Sequence, residues 1–218
     1  MNYLINPLNY NLTDPGSIPN LLIQHLTIVG LSMLISIIIA IPIGLLIARF
    51  RPLYLPVVTG TGLLYTIPGL ALLAFLVPLT KLSLATIIIP LVLYAQLVLI
   101  RNTVAAVNSI DPLLIEVGRA MGMNGIQLFL RVTMPLALPI TIAGIRIATV
   151  TTIGIASLAS LVGQGGLGDL IFVGIQNQNA SQVLAGAIVI ALLAVVFDLL
   201  LLVIQILLNR GRSAISVA

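Results

Sequence analysis

Charge is what this sequence of 218 residues has least of: nine Lys and Arg and five Asp and Glu, 6% of the chain, against 60% hydrophobic residues. An ordinary soluble domain carries about 25% charged residues. So few charges cannot cover a surface that faces water. The chain is therefore expected in a bilayer, where apolar runs of about 20 residues cross the hydrocarbon core. Membrane spans use up nearly all of its length, leaving no room for a separate soluble domain. Cysteine is absent, which excludes disulfides, thiolate metal sites and thiol nucleophiles. The single histidine, His25, sits near one end of the first apolar run and reads as a packed or interfacial residue rather than a ligand. No GxSxG, no HExxH and no His pair occurs, and no Lys follows the glycines of GQGGLGDL (163–170) as a phosphate-binding loop requires. No catalytic residue and no metal site is expected. The formal charge of +4 is scattered singly, without a Lys/Arg cluster or an aromatic stacking platform, so nucleic acid is not an expected partner.

What is present is a series of apolar runs. They predict an all-α integral membrane protein with five spans, at about 21–48, 55–79, 82–100, 135–160 and 183–208. Together they form a single membrane domain over 20–210. Residues 1–19 are rich in Asn and Pro and read as a polar external lead-in. Residues 101–134 form a polar interval, 161–182 a loop rich in Gly, Asn and Gln, and 211–218 a tail. The N-terminus has neither a basic n-region nor a short apolar core with a cleavage site, so the first span is expected to act as its own insertion signal. Arg49, Arg51, Arg101, Arg119, Arg131, Arg210 and Arg212 fall on one side of the predicted membrane, and Lys81 alone on the other. The positive-inside bias places the arginine side in the cytoplasm, the N-terminus outside and the C-terminus inside.

The spans are full of Gly and Pro. Small residues allow close helix packing; broken helices line pathways, because freed backbone groups need protein or water as partners. Both readings stand for TIPGL (66–70). For the isolated glycines the sequence favours packing.

The polar interval contains EVGRAMGMNGIQLFLRVTMPLALP, Glu116 to Pro139. Asp111-Pro112 suits a helix start, since Asp can cap and Pro is tolerated at the first helical position. Residues 112–121 predict a short amphipathic helix. Leu113, Val117, Ala120 and Met121 lie near one face, Glu116 and Arg119 leave it, and Gly122 is placed to end it. A second helical piece is expected from Asn124-Gly125 toward Pro135. Amphipathicity alone leaves open a helix on the membrane surface, a plain connector, or a helix docking into a groove of another protein.

Glu116-Val117-Gly118, Gly122, Val132 and Met134-Pro135 fall at the spacing of a known pattern: Glu-Ala-Ala, three residues, Gly, nine residues, Ile, one residue, Leu-Pro. The segment thus resembles the cytoplasmic motif of permease subunits of binding-protein-dependent ABC importers. The departures are Val117 and Gly118 for the alanines, Val132 for Ile and Met134 for Leu. Gly118 in place of Ala is expected to loosen the helix by about 1 kcal/mol. The resemblance implies a coupling helix seated in a cleft of an ATP-hydrolysing subunit, with Glu116, Gly118, Arg119, Ala120, Met121, Gly122, Val132 and Pro135 as coupling positions. Over about 30–205 the chain is similar to the osmoprotectant permeases of that class, for glycine betaine, choline and carnitine. The similarity is carried by YTIPGLALLAFLVPL (65–79), LIRNTVAAVNSIDPLLIEVGRAMGM (99–123), MPLALP (134–139) and AGIRIATVTTIGIASLASLVGQGGLGDLIF (143–172). Methionine permeases are the nearest alternative.

The resemblance implies partners: ATPase subunits that use ATP and Mg, a second permease chain, identical or paralogous, a separate extracellular binding protein, and the lipid of a bacterial or archaeal inner membrane. The binding protein is expected to be separate because some relatives carry it fused after the last span, whereas this sequence ends at Ala218. No cofactor is expected on this chain itself. Pathway or gate candidates are Tyr65, Thr66, Pro68, Gly69 and Tyr94. Gly163, Gly165, Gly166 and Asp169 of the loop join them, implied to help close the pathway and face the binding protein. Asp169 reads equally as a helix cap. Tyr65 and Tyr94 read as core packing or as aromatic faces that attract a quaternary ammonium group.

Arg146 lies about 16 Å into span four at 1.5 Å per residue, and Asp198 lies at matching depth in span five. A charge there costs several kcal/mol unless paired or hydrated, so the two are expected to meet. Such a pair either locks two helices or shifts between transport states. A stand-alone channel or secondary transporter remains the rival from another class. It predicts internal repeats and coupling acids in the spans, whereas no clear repeat is visible and Asp198 is the one acid within a span.

Overall fold

Residues 2–213 are described by the structure, a computed structural model; for Asn2 and 210–213 the description is of the backbone alone. Among them every regular element is helical. The helices are α1 (Asn2–Ile5), α2 (Ile18–Arg49), α3 (Tyr54–Thr66), α4 (Gly69–Thr80), α5 (Leu84–Asn108), α6 (Pro112–Ala120), α7 (Gly125–Leu128), α8 (Met134–Ile155), α9 (Gly168–Gln176) and α10 (Ala180–Ser213).

The core forms around α5. Its Ile87, Leu91, Leu99, Ile100 and Val104 are buried in one cluster with Ile28, Met33 and Ile47 of α2 and Ala148 and Ile153 of α8. Two glycines let these helices touch. A Cβ on Gly44 of α2 would stand 2.6 Å from Thr103 Cβ, and one on Gly144 of α8 would collide with Asn102. Lipid supplies no hydrophobic drive between helices, so close approach through small residues is how such bundles gain contact. α10 rests against α8 and α9, and its most apolar stretch contributes no buried residue. A helix apolar all round and left unburied suits lipid.

Among the described residues, four helical runs are long and apolar enough to cross a membrane: Ile18–Arg49, Leu84–Asn108, Gly125–Val162 and Ala180–Asn209. The run expected as span two, 55–79, is not one helix. It is bent by 91° between α3 and α4, and it supplies a fifth crossing only if the pair counts as one span. Ile67 is extended at the break (φ −68°, ψ 126°), as a residue before proline prefers.

Other boundaries move as well. The helix of span three continues to Asn108, into the polar interval. The helical run that contains span four begins ten residues before the expected 135, because α7, a π-turn at Phe129–Thr133 and α8 run on as one. The second helical piece, expected to run from Asn124-Gly125 toward Pro135, continues through it: Pro135 falls at the start of α8, just after the π-turn. A proline ring clashes with the carbonyl four residues back in a regular α-helix, and the wider i→i+5 turn removes that constraint. The loop expected at 161–182 contains α9. Gly174 faces Val183, and Gly186 faces Leu170 and Ile171, so α9 folds back tightly on α10. The lead-in is not merely polar: Tyr3 and Leu4 pack on Ile18, Leu21, Leu167 and Leu170. Asn20 fastens it by donating to the carbonyls of Leu12 and Asp14. Of the tail expected at 211–218, residues 214–218 lie outside the described residues.

Candidate functional site

The bundle has two ends of different character. Arg49, Arg51, Glu116 and Arg119 meet at one; the glycine loop 163–166 packs against the start of α2 at the other.

At the arginine end, α6 is built from local signals. Asp111 Oδ1 accepts the Leu113 N–H at 2.9 Å, and Pro112 occupies the first helical position. The helix ends at Gly122, whose φ of +77° is left-handed. The Met123 N–H returns to the Gly118 carbonyl at 3.2 Å and the Gly122 N–H to the Arg119 carbonyl at 2.9 Å, so the last carbonyls are satisfied. Two residues on, Asn124 and Gln127 exchange side-chain and backbone bonds of 2.9 and 3.0 Å, which starts α7.

Of the coupling candidates, Gly118 is buried and Val132 half-buried. Glu116, Arg119, Ala120, Met121, Gly122 and Pro135 are exposed. Gly118 and Val132 come together: a Cβ on Gly118 would stand 2.6 Å from Leu128 Cδ1 and 3.7 Å from Val132 Cγ2. Gly118 therefore has a packing reason beside its cost to helix propensity. It lets α6 lie directly on the α7–α8 run. A stripe of Leu113, Val117 and, just past the last turn of α6, Met121 stands at i, i+4, i+8, about a quarter-turn round the axis from Gly118; the three are respectively 60%, 48% and 71% exposed. Beside that stripe Glu116 and Arg119 line a cleft of ≈ 780 Å³ shared with Arg49, Arg51 and Phe129. In the sequence Arg49 and Arg51 bear only on topology; their place beside α6 is a tertiary feature, since residues of α2, α5 and α6 line the same cleft.

The pathway candidates separate into two groups. Tyr65, Thr66, Pro68, Gly69 and Tyr94 all line a cavity of ≈ 300 Å³ at the break between α3 and α4, with Ile155 and Leu158. Tyr94 donates its hydroxyl to the Ile67 carbonyl at 2.8 Å, giving the broken backbone a partner. Gly163, Gly165 and Asp169 line a second cavity of ≈ 630 Å³ at the glycine-loop end. The buried Gly166 lies beside it, its N–H donating to Gln24 Oε1 at 2.9 Å. Its φ of +87° and its closeness to the His25 ring both exclude a larger residue. Asp169 lies in the first turn of α9, where a negative charge suits the helix dipole, but Leu167 occupies the cap position. His25 is fully buried, with Nε2 3.0 Å from the Ile153 carbonyl. Gln24 had no place in the sequence reading: its partner is 142 residues away.

Arg146 and Asp198 meet between the two ends in a bidentate pair, Nε to Oδ1 at 3.0 Å and the second nitrogen to Oδ2 at 2.9 Å. Gln205 adds a third bond, accepting from Arg146 at 2.9 Å. Gln205 follows Asp198 by two helical turns on an otherwise apolar helix, a signal the sequence did carry. This is the one ion pair among the described side chains.

Comparison with known proteins adds an independent line. The sequence profile of the family described as binding-protein-dependent transport system inner membrane component matches residues 40–213. The chain is 38% identical to the osmoprotectant import permease protein OsmW of Salmonella typhimurium, over 94% of this chain and 98% of that protein. It is 36% identical to the glycine betaine/carnitine/choline transport system permease protein OpuCB of Bacillus subtilis, over 84% of each. Among solved structures, an inward-facing conformation of the MetNI methionine ABC transporter is similar, with a TM-score of 0.74 and 26% identity, covering 85% of this chain and 93% of that one.

Proposed function

The chain belongs to the binding-protein-dependent transport system inner membrane components, and from that premise we propose that it is the membrane-spanning permease subunit of an ABC importer for osmoprotectants such as glycine betaine, choline or carnitine. The observation that carries the substrate class is 38% identity across nearly the whole length of a permease named for osmoprotectant import. The chain contributes no catalytic group and binds no cofactor. ATP and Mg are used by separate subunits, solute arrives on a separate binding protein, and a second permease chain, identical or paralogous, completes the pathway. The arginine end faces the cytoplasm of a bacterial or archaeal cell.

The geometry supports a mechanical role for α6. Its exposed stripe of Leu113, Val117 and Met121 is the surface an ATPase groove would cover, as amphipathic helices dock by i, i+4 anchors. Glu116 and Arg119 form its polar rim. Through Gly118, α6 bears on Leu128 and Val132, which belong to the 38-residue run Gly125–Val162. That run is about 57 Å long at 1.5 Å per residue. Its far part supplies Ile155 and Leu158 to the cavity at the α3–α4 break. A displacement of α6 by the ATPase is thereby delivered to the break.

The test is uptake. Cells lacking other osmoprotectant uptake, given this chain with its genomic neighbours, are expected to accumulate labelled glycine betaine, choline or carnitine in an ATP-dependent way. Accumulation of methionine alone would move the substrate to the amino-acid class. Flux without any ATPase would replace the importer by a channel or secondary transporter.

A further inference from the structure

We infer that the cavity at the α3–α4 break is a transient site for the quaternary ammonium group of the solute in transit; this rests on the osmoprotectant reading and deepens it. The Tyr65 and Tyr94 rings stand nearly perpendicular, at 77°, with centroids 5.8 Å apart. Tyr94 is 5% exposed and its orientation is locked by its bond to the Ile67 carbonyl, whereas Tyr65 is 40% exposed and open to a ligand. The other lining groups include Ile155 and Leu158, and no Asp, Glu, Lys or Arg is among them. The volume of ≈ 300 Å³ lies at the small end of ligand cavities.

That chemistry selects one class of guest. Small metal cations need a shell of oxygen ligands, and a primary ammonium group would find only the hydroxyls of Tyr65, Thr66 and Tyr94 as side-chain acceptors for its three N–H bonds, with no carboxylate among them. A quaternary ammonium group has no N–H, and aromatic faces attract its charge through the ring quadrupole. Gly69 keeps the space open: a Cβ there would stand 3.0 Å from Leu158 Cδ1 and 3.9 Å from the Tyr94 hydroxyl. Without a carboxylate the site holds its guest weakly, as a waypoint requires if the solute is to move on. Tyr65 is the contacting ring and Tyr94 the residue that positions it.

The test uses the purified permease–ATPase complex without binding protein. Binding of tetramethylammonium is followed by saturation-transfer NMR, with 3,3-dimethylbutanol as a neutral probe of similar shape. The wild type is expected to bind the cation in preference to the alcohol. Tyr65→Leu is expected to weaken cation binding about tenfold, equivalent to about 1.4 kcal/mol, and Tyr65→Phe to preserve most of it. Should Tyr65→Leu fail to assemble, progressively fluorinated phenylalanines at position 65 keep the shape and drain the ring face, and affinity is expected to fall with each fluorine. Affinity indifferent to fluorination, or equal for cation and alcohol, overturns the site. Uptake of glycine betaine, choline and carnitine by the wild-type system is measured alongside. If uptake occurs and the ring series has no effect, the site alone falls; if none of the three is taken up, the functional reading falls first.

Discussion

At the glycine-loop end, Gln24 accepts from Gly166, His25 is buried under the same loop, and a Cβ on Gly168 would collide with the Ser157 carbonyl. At the arginine end, Leu113, Val117 and Met121 face away from the protein, and Glu116 and Arg119 edge an open cleft. The first end is tied together, around its cavity, by contacts within the chain; the second presents side chains for contacts outside it. Contacts made within a chain govern its stability. Side chains aimed at a partner govern assembly, and their loss is felt only when the partner is present.

Substitutions should break this contrast if it is wrong. Between the ends, Asp198→Leu leaves Arg146 with Gln205 alone, and at membrane depth this should cost about 3 kcal/mol. Thermal unfolding in mild detergent would measure it. The double variant Arg146→Leu, Asp198→Leu should recover most of that loss; if it is no better than the two single losses combined, the pair does not act as a pair. At the glycine-loop end, Gly168→Ala forces a methyl against a backbone carbonyl that cannot rotate away. About 2 kcal/mol is expected from such overpacking, read as a lowered unfolding midpoint. Gln24→Ala removes one interhelical bond, for about 1 kcal/mol, with faster amide exchange at Gly166. At the arginine end, Met121→Ser should change stability by less than about 0.5 kcal/mol. It should nevertheless release the ATPase during purification, and a loss of stability without loss of the ATPase would reverse the contrast.

The apolar runs made the helical class and the approximate spans legible, because length and hydropathy are local properties. α6 was legible for the same reason: Asp111, Pro112 and Gly122 are start and stop signals read within a dozen residues. Arg146 and Asp198 could be matched by depth, since two charges in a chain so poor in charge have few alternatives. Other features required partners distant in sequence. The 91° break follows Ile67-Pro68, but its partner is the hydroxyl of Tyr94, 27 residues on. α9 was hidden because its glycines read as loop, whereas Gly168 and Gly174 serve as contacts with Ser157 and Val183. Passage of the helix through Pro135 depends on a π-turn that no propensity announces. At α6, helix propensity shows only the cost of Gly118, and packing against Leu128 shows its use.

The central claim is that the exposed face of α6 is where an ATP-hydrolysing subunit bears on this chain. Since the chain contains no cysteine, one cysteine introduced at Met121 is this chain's only thiol, and it is labelled with a photoactivatable maleimide on the purified permease before the transport-active complex is assembled. The account predicts a single crosslinked product with the ATPase subunit, its yield changing between nucleotide-free and ATP-bound states. Crosslinks to lipid alone, in a complex that still imports solute, would contradict it.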